Sequence, residues 1–355
     1  MECGGEPPLC PTSIPHQCHP LCSRSRAVLA HAFQKGHPNL RSYLPATTDI
    51  QSLRSKNSLV EYLTGVRQSC TPFEQVTFAY LAWLEALLLT FHHNIPHAQK
   101  FAALHLAIAA AIAQLAWSAA RTRNPGLQFA RSWYPLPLYI FFFEELQCLV
   151  HAIFPDWFDS WLIQFDHRLV GVHPSVWLAR YATPALNDAM QFAYMTYFLY
   201  LIILPAILYA QENREAFWAV MTSTAIAHYS VYVIAILFPI ESPYFALAPL
   251  NRMPLNGGAF TATIELIEHF GRVHGAAFPS AHVAGSMVAI LAARRYKPWL
   301  FWLCLPFFAT MCVATVYGRY HYIADVLAGL AVGAIGWAAG QYLMNRHGAL
   351  RNLTS

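Results

Sequence analysis

Charge is what this chain has least of. Only 11% of its 355 residues are charged, against about 25% in soluble domains, and 56% are hydrophobic. That deficit excludes an ordinary water-soluble domain. The net charge is only +4 and gathers into no dense basic stripe, which excludes nucleic acid as a partner. The paired C-x-x-C pattern of a zinc site is also missing: Cys3, Cys10, Cys18 and Cys22, with His16 and His19 nearby, are spaced irregularly, so they read as incidental residues of a polar tail rather than a metal site. Cys70, Cys148, Cys304 and Cys312 lie in or beside apolar runs and read as packing residues. Residues 1–30 hold no apolar core of signal-peptide length, so the first span is expected to direct insertion itself. No internal repeat or low-complexity run is found.

Long apolar runs are abundant. Eight stretches, near 74–92, 101–120, 133–154, 187–210, 216–238, 281–294, 299–318 and 321–344, approach the roughly 20 residues a helix needs to cross about 30 Å of hydrocarbon. The expected fold is all-α: a polytopic membrane helix bundle with about eight transmembrane helices. The stretch at 281–294 is short, so it either begins earlier or lies behind other helices. Residues 1–72 read as a polar cytoplasmic tail, 73–154 as N-terminal transmembrane helices, 155–345 as the catalytic membrane domain, and 346–355 as a cytoplasmic C-terminal tail. Lys and Arg favour the connections at 121–131 and 294–297, which marks these as cytoplasmic and puts both termini inside. Between spans three and four, Trp157, Phe158, Trp161, Leu162 and Phe165 alternate with Asp159, Asp166 and Arg168 at helical spacing, as in a helix lying in the membrane interface. A Pro-rich loop, 239–280, joins spans five and six. A loop of that length is uncommon unless functional.

On that topology, two segments on the same outer side carry chemistry. In the second, 319–325, His321 and Asp325 are four apart, share one helix face and can touch. A carboxylate bonded to one imidazole nitrogen fixes the tautomer and leaves the other nitrogen to attack or accept a proton. An isolated carboxylate near the membrane is costly, so Asp325 needs a partner. In the first, 275–282, Pro279 and Ser280 precede a helix whose first turn offers unsatisfied N–H donors and a partial positive charge, an anion site. His282 in that turn is able to protonate a leaving oxygen, and Arg319 to grip phosphate oxygens with its planar fork. No metal or cofactor is called for by this set.

These segments, Phe278-Pro279-Ser280-Ala281-His282 and Arg319-x-His321-Tyr322-x-x-Asp325-Val326, resemble the second and third signature motifs of the type 2 phosphatidic acid phosphatase superfamily. The resemblance is nearer to the branch of inositol phosphorylceramide and sphingomyelin synthases. It extends over roughly 155–345, including Val172-His173-Pro174, Tyr194-x-x-Tyr197 and Phe238-Pro239-x-x-x-Pro243. It implies a six-helix-type phosphatase core with the last five spans, from 187 on, carrying the site. It also implies His321 as a nucleophile forming phosphohistidine, Asp325 as its orienting group, His282 as the acid, and Ser280 and Arg319 as phosphate holders. The family's Lys-x6-Arg-Pro first motif is absent, and Ala314 and Thr315 stand where its phosphatases carry Ser-Arg. Arg272 and His274 are therefore added as substrate-binding candidates. The expected activity is metal-independent hydrolysis of lipid or isoprenoid phosphates in a bacterial inner membrane, with the site on the extracytoplasmic face. Phosphotransfer between lipids is the first alternative. A non-catalytic transporter or haem protein using His92, His93, His97 and His105 is the second, although these histidines read chiefly as interfacial. Glu144 and Glu145 lie inside span three, where helix–helix hydrogen bonding is the leading reading. Asn187, Asp188 and Gln191 open span four as caps or as the mouth of the site. The sequence leaves the lipid's identity and the oligomeric state open.

Overall fold

The computed structural model describes residues 60–122, 124–271 and 273–354. The described residues from Gly65 on form one compact unit. The cysteines and histidines of the tail and the candidate Arg272 lie outside the described residues. From Gly65 onward the described residues are all-α. Their helices are α1 (Pro72–Phe91), α2 (Ala98–Arg121), α3 (Pro125–Trp133), α4 (Pro135–Leu149), α5 (Asp159–Val170), α6 (Pro174–Leu178), α7 (Pro184–Ala210), α8 (Arg214–Leu237), α9 (Pro243–Ala246), α10 (Ala259–Gly271), α11 (Ala281–Tyr296), α12 (Pro298–Tyr317) and α13 (Ile323–Thr354).

Helix starts follow local chemistry. Thr71 and Glu74 form a capping box ahead of Pro72, and Asn124, Thr183 and Asn213 cap α3, α7 and α8 by accepting backbone N–H bonds. These side chains satisfy donors that a helix start leaves unpaired. Proline at the first helical position of α1, α3 and α7 costs no hydrogen bond there.

All eight apolar stretches are helical. Five helices are long and apolar enough to cross a membrane: α2, α7, α8, α12 and Ile323–Ala349 of α13. The protein is thus an integral membrane helix bundle. Of the remaining three, α1 carries Glu74 and Glu85, α4 has 15 residues and α11 has 16. The short α11 lies behind other helices, packed among α7, α8, α12 and α13. The 239–280 segment is not a simple loop, since it contains α9 and the 13-residue α10, and α10 packs on α7.

Helix α8 is apolar on all sides and mostly buried, as a central helix must be. It touches α13, α11, α1, α4 and α7. On α13, glycines allow close approach to α11: a Cβ on Gly329 would stand 2.8 Å from the Ser280 carbonyl, and one on Gly333 2.5 Å from the Ala284 carbonyl. Small residues at such crossings let helix backbones approach in membranes.

Among the N-terminal helices, Arg131 lies buried against Glu74, with Nε–Oε1 at 2.7 Å and Nη2–Oε2 at 2.8 Å. Part of the positive charge in the 121–131 connection is therefore consumed by an internal ion pair. Glu145 Oε1 stands 2.7 Å from His105 Nε2, both side chains buried, so the helix–helix reading of span three holds for Glu145. His105 is not interfacial. Its Nδ1 stands 3.2 Å from Glu85, whereas His92 and His93 lie side by side with tilted rings at an exposed turn.

Candidate active site

The two sequence segments meet. Residues 276–280 run as a strap between the end of α8 and the start of α13. Ala277 N–H donates to the Ile240 carbonyl at 3.2 Å, and Ser280 N–H donates to the Asp325 carbonyl at 3.1 Å. On the other side, Arg319 takes a left-handed backbone conformation (φ 65°), uncommon for a residue with a side chain. The chain folds back there, and the N–H groups of Tyr320 and His321 both donate to the Thr315 carbonyl. The Thr315 position, which departs from the phosphatase pattern, thus anchors by its backbone the turn that presents His321.

His321 is buried. Its Nδ1 lies 2.8 Å from the Ala277 carbonyl and 3.3 Å from Asp325 Oδ2. A carbonyl only accepts, so Nδ1 carries the proton and the Nε2 lone pair is free. Asp325 Oδ2 also accepts from Tyr322 N–H at 2.8 Å, while Oδ1 is buried without a partner among the described residues. His282 opens α11, half-buried, with its ring centroid 6.1 Å from that of His321. It is flanked by Tyr194 at 4.5 Å and Tyr197 at 4.4 Å. Among the described residues, ring contacts rather than hydrogen bonds hold this imidazole.

The candidate phosphate holders differ among themselves. Ser280 is fully buried and its Oγ accepts from Val283 N–H at 3.3 Å as the N-cap of α11. Its hydroxyl oxygen is thus committed to starting the helix that carries His282. Arg319 is buried too. Its Nη2 donates to the Met253 carbonyl at 2.5 Å, and its Nε–H is buried without a partner among the described residues. Burial lowers its pKa from the ordinary arginine value. His274 is exposed and paired with Glu241 at 2.7 Å, beside Trp157 and Phe245. The span-four residues act as ties: Asn187 bonds the Tyr317 hydroxyl and the Asn256 carbonyl, Asp188 accepts from Thr261 N–H, and Gln191 bonds the Tyr320 hydroxyl.

Two features were missed by sequence reasoning. His228, buried in α8, has Nδ1 2.9 Å from the Thr224 carbonyl, so its Nε2 accepts from the Tyr197 hydroxyl at 2.8 Å. This locks one of the rings flanking His282. An ionisable residue inside an apolar span was the available signal. Second, the acidic residues of α5 point inward. Asp159 accepts from Glu241 N–H, Ser242 N–H and the Tyr322 hydroxyl, and Asp166 accepts from the N–H groups of Ile323 and Ala324. Asp166 thus serves as a cap for α13 supplied from another helix. Burial raises its pKa, opposed by those two backbone bonds.

A model described as the PAP2 superfamily matches residues 160–339, a span that takes in His282, His321, Asp325 and Arg319 and begins one residue after Asp159. The chain belongs to the PAP2 superfamily. Neither a curated protein nor a solved structure matches it. PAP2 membership supports a function of the phosphatase or phosphotransferase type, and α1–α4 precede the PAP2-matched region.

Proposed function

We propose that the protein is a membrane phosphoric-ester hydrolase acting on lipid or isoprenoid phosphates through a phosphohistidine intermediate. The observation that carries this reading is His321, whose Nδ1 is bound by the Ala277 carbonyl and Asp325 while Nε2 stays free beside His282. In the first step Nε2 attacks phosphorus, the bond to the leaving oxygen breaks, and His282 delivers a proton to the departing alcohol. Asp325 supports the positive charge that develops on the His321 ring. In the second step water, deprotonated by His282, attacks phosphorus, the P–N bond breaks, and phosphate leaves. The unpartnered Nε–H of Arg319 is a donor for a phosphoryl oxygen. No metal or cofactor takes part in this scheme. The site would face the extracytoplasmic side of a bacterial inner membrane.

A second reading, phosphotransfer to an acceptor alcohol as in inositol phosphorylceramide or sphingomyelin synthases, is favoured by the missing lysine motif and by Thr315. Phosphate release from a panel of lipid phosphates, with and without EDTA, tests both. Release that survives EDTA and falls about 10³-fold or more in His321→Ala is the expected result. Release unaffected by that substitution would sink the site. Turnover only with an added alcohol would select phosphotransfer.

A further inference from the structure

Helix α5 is built inside out for a helix in water. Its acidic residues are hidden, Asp159 at 5% exposure and Asp166 at 1%, while Trp161, Phe165 and Leu169 are 69%, 45% and 54% exposed. Leu162 alone among its large apolar residues is buried, in a cluster with Ile240, Leu247, Ala277 and Tyr322. Its 12 residues span about 18 Å, too short to cross a bilayer. Its two acids lie about two turns apart and grip the ends of two different spans: Asp159 the backbone of Glu241 and Ser242 just beyond α8, Asp166 the first residues of α13. A helix tied to two span ends lies across them, at the level where those spans leave the hydrocarbon. Trp177 and Tyr181, just beyond α5, are also exposed, as aromatic side chains are at membrane boundaries. Arg168 is exposed at its C-terminal end, a charge suited to anionic headgroups.

We propose that the Trp161–Phe165–Leu169 face of α5 seats in the polar–apolar boundary of the bilayer, and that this seating sets the depth at which His321 and His282 meet a phosphoester carried by the membrane. The second half of the proposal rests on the phosphoester reading of the site. The mechanical link is short. Asp166 caps the helix whose first turn holds Asp325, and Asp159 holds Tyr322, the residue after His321. The inner face of α5 therefore fixes the nucleophile, and the outer face fixes α5 relative to lipid. A site held at that depth acts on esters presented by the bilayer, while a small ester dissolved in water reaches it without help from the seating.

The test uses the full chain in vesicles and the triple variant Trp161→Ser, Phe165→Ser, Leu169→Ser, with an unchanged thermal melt as the check on folding. Turnover is measured on dioleoyl phosphatidic acid in the bilayer and on p-nitrophenyl phosphate in solution. The expected result is a fall of roughly tenfold or more on the lipid, from loss of the buried apolar area, with the soluble ester unchanged. An equal fall on both substrates, or no fall on the lipid, overturns the proposal. Quenching by brominated lipids reads the seating without any activity: wild type should lose fluorescence that Trp161→Phe does not, and equal quenching of the two rejects the seating. Wild type that turns over neither ester while showing the quenching difference would reject the phosphoester reading and leave the seating standing.

Discussion

At the scale of the residue, His321 has two acceptors on one nitrogen, and they do different work. The Ala277 carbonyl alone is enough to fix the tautomer, so Asp325 contributes mainly charge. Asp325→Asn should therefore lower kcat by about 10²- to 10³-fold, short of the roughly 10⁴-fold seen where a carboxylate alone sets the tautomer. Steady-state kinetics of Asp325→Asn and the wild type at one pH check this. For Arg319, the fork matters as well as the charge, because one arm holds the Met253 carbonyl and Nε–H remains free. Arg319→Lys keeps the charge and loses that geometry. A hydrogen bond to a charged group contributes about 1.5–3 kcal/mol, so kcat/KM should fall roughly ten- to a hundredfold. That His321, Asp325 and His282 would come together was legible because their spacing at two helix starts has chemical meaning by itself. His228 was not, since nothing in an apolar run says which neighbour a buried imidazole will find. Ser280 was legible as a helix start, and its capping bond is what a serine ahead of a helix does.

Elements were read unevenly. The apolar stretches all became helices because a bilayer leaves few other ways to satisfy the backbone. The 13-residue α10 escaped notice because Pro249, Pro254 and two glycines precede it, and such residues mark turns. The periodicity of α5 was visible, but periodicity yields two faces without saying which one turns inward, and here the acids do. Helix α13 owes its fit against α11 to missing side chains. Gly333→Ala must push the Ala284 carbonyl, which is backbone and cannot swing aside. The expected cost is about 1–3 kcal/mol, seen as a lower melting temperature in detergent. Since Ser280 and His282 head α11, activity should fall at temperatures where the variant is still folded.

Across the whole molecule, α1–α4 form a buttress outside the PAP2-matched region. Thr77 pairs with Tyr229, the Tyr139 hydroxyl donates to the Met221 carbonyl, and the Tyr232 hydroxyl to the Tyr139 carbonyl. Within it, the His105–Glu145 contact is buried between α2 and α4. Removing one partner of a buried pair costs about 3–5 kcal/mol, so His105→Ala should lower the melting temperature clearly. Specific activity of the remaining folded protein should stay near wild type, because the pair touches neither histidine of the site. The glycine contacts between α13 and α11 bear on how such a protein changes over generations. They set the spacing of the two helices by close approach to the Ser280 and Ala284 carbonyls, with the Val283 and Met287 side chains packed beside them. The outward surfaces, such as Trp299, Trp302 and Leu303 of α12, are thereby released from any part in aligning the reaction. Lineages can redecorate that outer wall for membranes of different composition while the machinery behind it keeps its gauge.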